Sequence, residues 1–117
     1  MTYLNLEQGS IVVADVLYSA QIGVKRRPVL IISNTVFNKH ADDIIVLKIT
    51  STNKKTKFDV SLTNKNLTKG KLKKDSFIMV DFPATIQKNL IVEEKGKLSK
   101  QKLSEVKQKI KELYQIK

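Results

Sequence analysis

A chain of 117 residues has room for one domain with a modest core, and no stretch of it is apolar for long enough to span a bilayer. It has no cysteine and one histidine, His40, which excludes disulfides, thiolate chemistry and a two-histidine acid–base pair, and argues against a histidine-rich metal site. A net charge of +11 favours a polyanionic partner, and the excess is lopsided: residues 1–50 carry five cations and four anions, residues 51–117 seventeen and seven.

The opening MTYLNLEQGS has no basic segment followed by an apolar one, so the chain reads as untargeted, soluble and cytoplasmic. Gly9 suits a turn into SIVVADV, whose β-branched run predicts a strand over 11–16. YSAQIGVKRR reads as a polar loop. PVLIIS, residues 28–33, is the clearest strand, with Pro28 at a first position that needs no backbone N–H. Residues 34–43 read as a loop and IIVLKIT, 44–50, as a third strand. The basic connection STNKKTK leads to a short FDVSL strand, and the basic loop TNKNLTKGKLKKD to SFIMVDF, 76–82. Five short strands with no helix among them predict a small antiparallel barrel or sandwich.

The C-terminus changes period. Leu103, Val106, Ile110 and Leu113 recur at three- and four-residue steps between Lys and Glu, as an amphipathic helix requires. Ser99 suits its N-cap, with Leu98 and Leu103 spaced as a hydrophobic staple. Its apolar stripe is expected to pack on the barrel. A membrane-surface role is disfavoured, because the stripe has no Trp or Phe. There are no internal repeats.

The chain's two arginines are adjacent, Arg26 and Arg27, although its other twenty cations are all lysine. A guanidinium presents a planar fork that binds two phosphate oxygens at once, which suggests a phosphate site. Strand alternation puts the two side chains on opposite faces, and Pro28 holds Arg27 extended. The competing reading is that KRR guards an apolar strand against aggregation, although lysine would serve that purpose as well. Thr50, ending the next strand, is a phosphate-contact candidate, but threonine also packs well at strand ends.

In this order, GSIVVADV, KRRPVLIISN, IIVLKITS, KKDSFIMVD and a closing amphipathic helix resemble the MazF/PemK family of toxin endoribonucleases from type II toxin–antitoxin pairs. The most specific elements are a cationic pair and proline opening an apolar strand, and I-T-S at the end of the next. The resemblance implies a mainly β fold with a C-terminal α-helix, a small SH3-like antiparallel barrel of the MazF/PemK/CcdB type. The whole of 1–117 would be one domain, with the barrel over about 8–92 and the helix over about 99–115.

It further implies a homodimer that cleaves single-stranded RNA without metal or cofactor, giving 2′,3′-cyclic phosphate and 5′-hydroxyl ends. Carried over by position, Arg27 and Thr50 would be catalytic, with Ser19 near the cleaved phosphate; Arg26, whose family counterpart is a variable basic residue, is assigned to RNA binding, as are the neighbouring Lys25 and Ser51. Arginine hardly deprotonates, so Arg27 would stabilise charge and the general base stays unnamed. Lys54, Lys55 and Lys57 follow Thr50 closely enough to hold RNA backbone. Lys71, Lys73 and Lys74 read as more distant and only solubilising, and His40, beside Asp42 and Asp43, as a surface residue. The charge of +11 makes an acidic, partly disordered antitoxin the natural inhibitor.

One segment departs from the family pattern. Where many relatives carry a basic stretch, this chain reads DFPATIQKNL, so Asp81 and Phe82 bear on the groove or its sequence preference. With few aromatics, stacking is not expected to dominate readout. Two alternatives stand: a noncatalytic SH3-like nucleic-acid-binding module, and a gyrase poison of the CcdB type. The second is disfavoured by a YQIK terminus and the absence of tryptophan.

Overall fold

The computed structural model describes residues 6–17, 24–52 and 56–117. Among these, seven strands form one antiparallel sheet that curls into a half-barrel: β1 Ser10–Leu17, β2 Val24–Ile31, β3 Asp43–Thr50, β4 Asp59–Leu62, β5 Leu67–Gly70, β6 Ser76–Gln87 and β7 Ile91–Leu98. Their spatial order is β4-β6-β3-β2-β1-β7-β5. A short helix α1, Thr35–His40, precedes β3, and α2, Lys100–Tyr114, closes the chain. This is the mainly β fold with a C-terminal helix expected from the sequence.

Both faces of the sheet are buried over its middle. Ile11, Leu30, Leu47 and Ile49 point to one side, where Val106 of α2 joins their cluster and Leu103, Ile110 and Leu113 pack against it. Val12, Ala14, Val29, Ile31, Ile44 and Val46 fill a second cluster on the opposite side. Successive residues of a strand point to opposite faces, so a strand buried on both sides reads as an unbroken apolar run such as VLII. The helix stripe behaves as its spacing predicts. Ser99 caps α2, its hydroxyl accepting the Lys102 N–H at 3.1 Å, and Leu98 and Leu103 meet in the helix-side cluster. Gly9 makes the expected turn into β1 at φ +95°, a conformation that favours glycine.

Several expectations are corrected. The KRR segment is not loop but strand: β2 begins at Val24 and pairs with β1 from Leu17↔Val24 to Ile11↔Leu30. Pro28 therefore lies inside β2. It is tolerated because the β3 ladder starts only at Val29, leaving the first half of β2 paired on one side.

Residues 34–43 hold α1. Asn34 caps it by accepting from Val36 N–H at 2.7 Å and Phe37 N–H at 3.2 Å, and buried Asn38 donates to the Leu6 and Ser33 carbonyls. Polar groups rather than an apolar stripe make this helix, so periodicity does not reveal it.

The count of five strands becomes seven because β5 lies in the basic loop and β7 in the IVEEKGKL stretch. β6 also runs on to Gln87. It does so by bulging: Met79 pairs with Lys48 and Pro83 with the adjacent Leu47, so residues 80–82 are extra. Gly70 allows β5 to approach β7, since a Cβ there would lie 1.9 Å from the Lys95 carbonyl oxygen.

Candidate nucleic-acid interface

β2 and β3 pair as Val29↔Lys48, Leu30↔Leu47 and Ile31↔Val46. Continued two residues beyond the ladder along both strands, this register opposes Arg27 to Thr50. Both then share the face of Val29, Val46 and Lys48, which is the face away from α2. Lys25 alternates onto the same side and is exposed.

Thr50 is held in a turn of its own making. Its Oγ1 accepts the Thr52 N–H at 3.2 Å and lies 2.8 Å from the Thr52 hydroxyl. Either hydroxyl can donate in that contact; in the arrangement where Thr52 does, the Thr50 hydroxyl keeps its proton for another acceptor. Thr52 was not foreseen from the sequence; its signal is the T-S-T spacing at the strand's exit.

Across the β3–β6 ladder Thr50 pairs with Phe77, and Lys48 with Met79. The bulge then brings Phe82 back over β3, with the Lys48 ammonium 4.1 Å from its ring centre. This part of the sheet around the end of β3 therefore combines cations, a hydroxyl and two aromatic rings.

Arg26 points the other way. It pairs with Asp15 across β1–β2, its Nε donating to Oδ1 at 3.1 Å. With Ser51 it lines a groove of about 430 Å³ on the side of Val13 and Pro28. Lys71, Lys73, Lys74 and Lys95 line the same groove, with Glu93 among them. Lys71, Lys73 and Lys74, expected to lie away from Arg27 and Thr50, thus share a groove with Arg26 and Ser51, two of the residues expected to bind RNA. They are distant in sequence, but the connection into β6 passes the end of β3 where Ser51 sits.

Lys57 is exposed, with its ammonium 5.5 Å from the Phe58 ring, which Lys109 of α2 also approaches at 5.9 Å. Ser19, Lys54 and Lys55 lie outside the described residues. His40 ends α1, just before β3, whose length from Asp43 to Thr50 is roughly 23 Å at the usual strand rise. Among the described residues no three His, Cys, Asp or Glu side chains cluster as metal ligands would, and no helix is long and apolar enough to cross a membrane.

The family model of PemK-like, MazF-like toxins of type II toxin–antitoxin systems matches residues 7–114. The chain belongs to that family. This MazF-like toxin is similar to the endoribonuclease MazF of Staphylococcus saprophyticus, with 36% identity over 104 residues covering 86% of this chain and 84% of the relative.

Among solved structures, a mycobacterial endoribonuclease in complex with its cognate antitoxin superposes with a TM-score of 0.78 at 16% identity, covering 95% of this chain and 96% of that one. A chain of a MazE–MazF structure from Deinococcus radiodurans gives 0.78 at 20% identity, covering 97% and 100%. These structural likenesses are of fold. Within this MazF-like fold, the proline-flanked arginine and the strand-end threonine lie on adjacent paired strands, each two residues beyond the Val29↔Lys48 pair.

Proposed function

We propose that this MazF-like toxin is a cytoplasmic endoribonuclease that cleaves single-stranded RNA, acts as a homodimer and is restrained by an acidic cognate antitoxin. What supports this reading most directly is the β2–β3 register, which, continued two residues past the Val29↔Lys48 pair, puts Arg27 across from Thr50.

The reaction needs little else. A ribose 2′-oxygen attacks the adjacent phosphorus, the bond from phosphorus to the 5′-oxygen breaks, and the 2′-proton is lost while the leaving oxygen gains one. The ends are a 2′,3′-cyclic phosphate and a 5′-hydroxyl. Negative charge builds on the phosphoryl oxygens in the transition state, where Arg27 supplies fixed charge and a bidentate grip and Thr50 a hydrogen bond. A preorganised donor of this kind lowers a barrier by about 3–4 kcal/mol. Arg26, Lys25, Ser51 and the 71–74 lysines supply backbone affinity on either side of the strand.

The test is incubation of the purified protein with a long unstructured RNA in excess EDTA, with the fragments sequenced. Discrete fragments whose 5′ ends accept phosphate from a polynucleotide kinase without prior dephosphorylation are expected. Intact RNA beside a salt-sensitive mobility shift would overturn the reading in favour of a noncatalytic binding module.

A further inference from the structure

We propose that Lys48, Phe77 and Phe82 form a slot that stacks one RNA base next to the cleaved phosphate, a subsite that rests on the endoribonuclease reading above. Phe77 pairs with Thr50 across β3–β6, so their Cβ atoms stand about 5 Å apart on one face. Lys48 lies two residues before Thr50 on that same face, with its ammonium 4.1 Å from the centre of the Phe82 ring.

Phe82 reaches this position only because residues 80–82 bulge from β6 between Met79 and Pro83. Bulges re-aim side chains and are frequent beside active sites. The ring is aimed outward: Phe82 remains 43% exposed with the ammonium against it. Phe58 makes a useful contrast. It also carries cations over its ring, but it packs into the helix-side cluster and serves the core.

An exposed ring and a cation beside a phosphate-binding pair is the combination that holds a single-stranded nucleotide, the base on the aromatic and the backbone on the charge. Stacking tolerates any base, so the slot contributes rate at one position rather than a sequence code.

The experiment uses short RNAs spanning one mapped cleavage site, with an abasic nucleotide placed in turn on each side of the cut. Single-turnover cleavage is followed with wild type, Phe82→Ala, Phe82→Leu and Phe82→Tyr, each checked for an unchanged melting temperature. Wild type should lose ~5- to 150-fold at one abasic position, the range set by base–aromatic stacking. Phe82→Ala and Phe82→Leu should lose a similar factor on intact RNA and nothing more on that abasic RNA, while Phe82→Tyr retains the wild-type rate. Leucine keeps the apolar bulk, so it separates loss of the ring from loss of packing.

Wild-type rates in Phe82→Ala, or an equal loss on intact and abasic RNA, would overturn the slot while leaving the endoribonuclease reading intact. The slot also falls if Phe82→Ala cleaves normally but binds an inhibitory acidic protein less tightly, which would assign the ring to that partner. No cleavage by wild type overturns both readings at once.

Discussion

Asp15 and Arg26 face each other across the β1–β2 ladder, Oδ1 accepting from Nε at 3.1 Å. The pair turns Arg26 toward the lysine-lined groove while Arg27, its neighbour, alternates to the face of Thr50. Adjacent arginines thus serve two sides of one strand.

The guanidinium of that pair is 66% exposed, so the ion pair contributes at most about 1 kcal/mol to stability. Asp15→Asn should leave the melting temperature within a few degrees of wild type. Because the carboxylate neutralises Arg26 beside the groove, its loss should tighten RNA binding several-fold at low salt, with the gain fading as salt is raised. Binding measured at two salt concentrations checks this, and weaker binding by Asp15→Asn would contradict it.

With Thr50 at the phosphate, as proposed, Thr52 would act by positioning its hydroxyl. Thr52→Val removes the side-chain bond to Thr50 Oγ1 but keeps the backbone N–H that bonds the same atom. A fall in kcat of about 10-fold with little change in KM is expected, and Thr52→Ser should restore it, as follows for one neutral hydrogen bond. A variant with unchanged kcat would show that the hydroxyl pair is incidental.

The groove lysines should be visible in the salt dependence of binding. Lys73 and Lys74 both line it, and each phosphate contact on a single strand steepens the slope of log K against log salt by about 0.7. A Lys73→Ala, Lys74→Ala double variant should therefore flatten the slope by ~1.4 if both lysines contact phosphate. An unchanged slope would return these residues to a solubilising role.

The Glu7 carboxyl is held below its ordinary range by a hydrogen bond from Lys97, 2.9 Å away, and by that ammonium's charge. A carboxylate lowered in the folded state stabilises fully above the unfolded pKa, and the benefit is lost as pH falls through the folded value. Glu7→Gln should thus match wild type less well at neutral pH than at low pH, converging with it below about 4.5. Melting temperatures across that range test the point; a constant difference down to the lowest pH would refute it.

The sequence makes some of this architecture legible and hides the rest for physical reasons. The strands around Val12, Leu30 and Leu47 announce themselves because burial on both faces leaves them apolar throughout, and α2 because its stripe has a period. α1 is built from an asparagine cap and a buried asparagine, and β5 and β7 are too polar to stand out. At the candidate site, Arg27 and Thr50 carry local signals. The neighbours supplied by pairing do not: Phe77 meets Thr50, and Phe82 meets Lys48, through register and a bulge that only long-range contacts specify.

The central claim is that Arg27 acts on the phosphate in the transition state. Single-turnover cleavage of one mapped RNA site by wild type, Arg27→Ala and Arg27→Lys, with binding measured in parallel, tests it most directly. The expected result is a loss of about 10²- to 10³-fold in Arg27→Ala, with lysine failing to restore the rate because it lacks the bidentate fork, and with RNA affinity reduced only a few-fold. Cleavage by Arg27→Ala at the wild-type rate, or a loss matched in full by weaker binding, would contradict it.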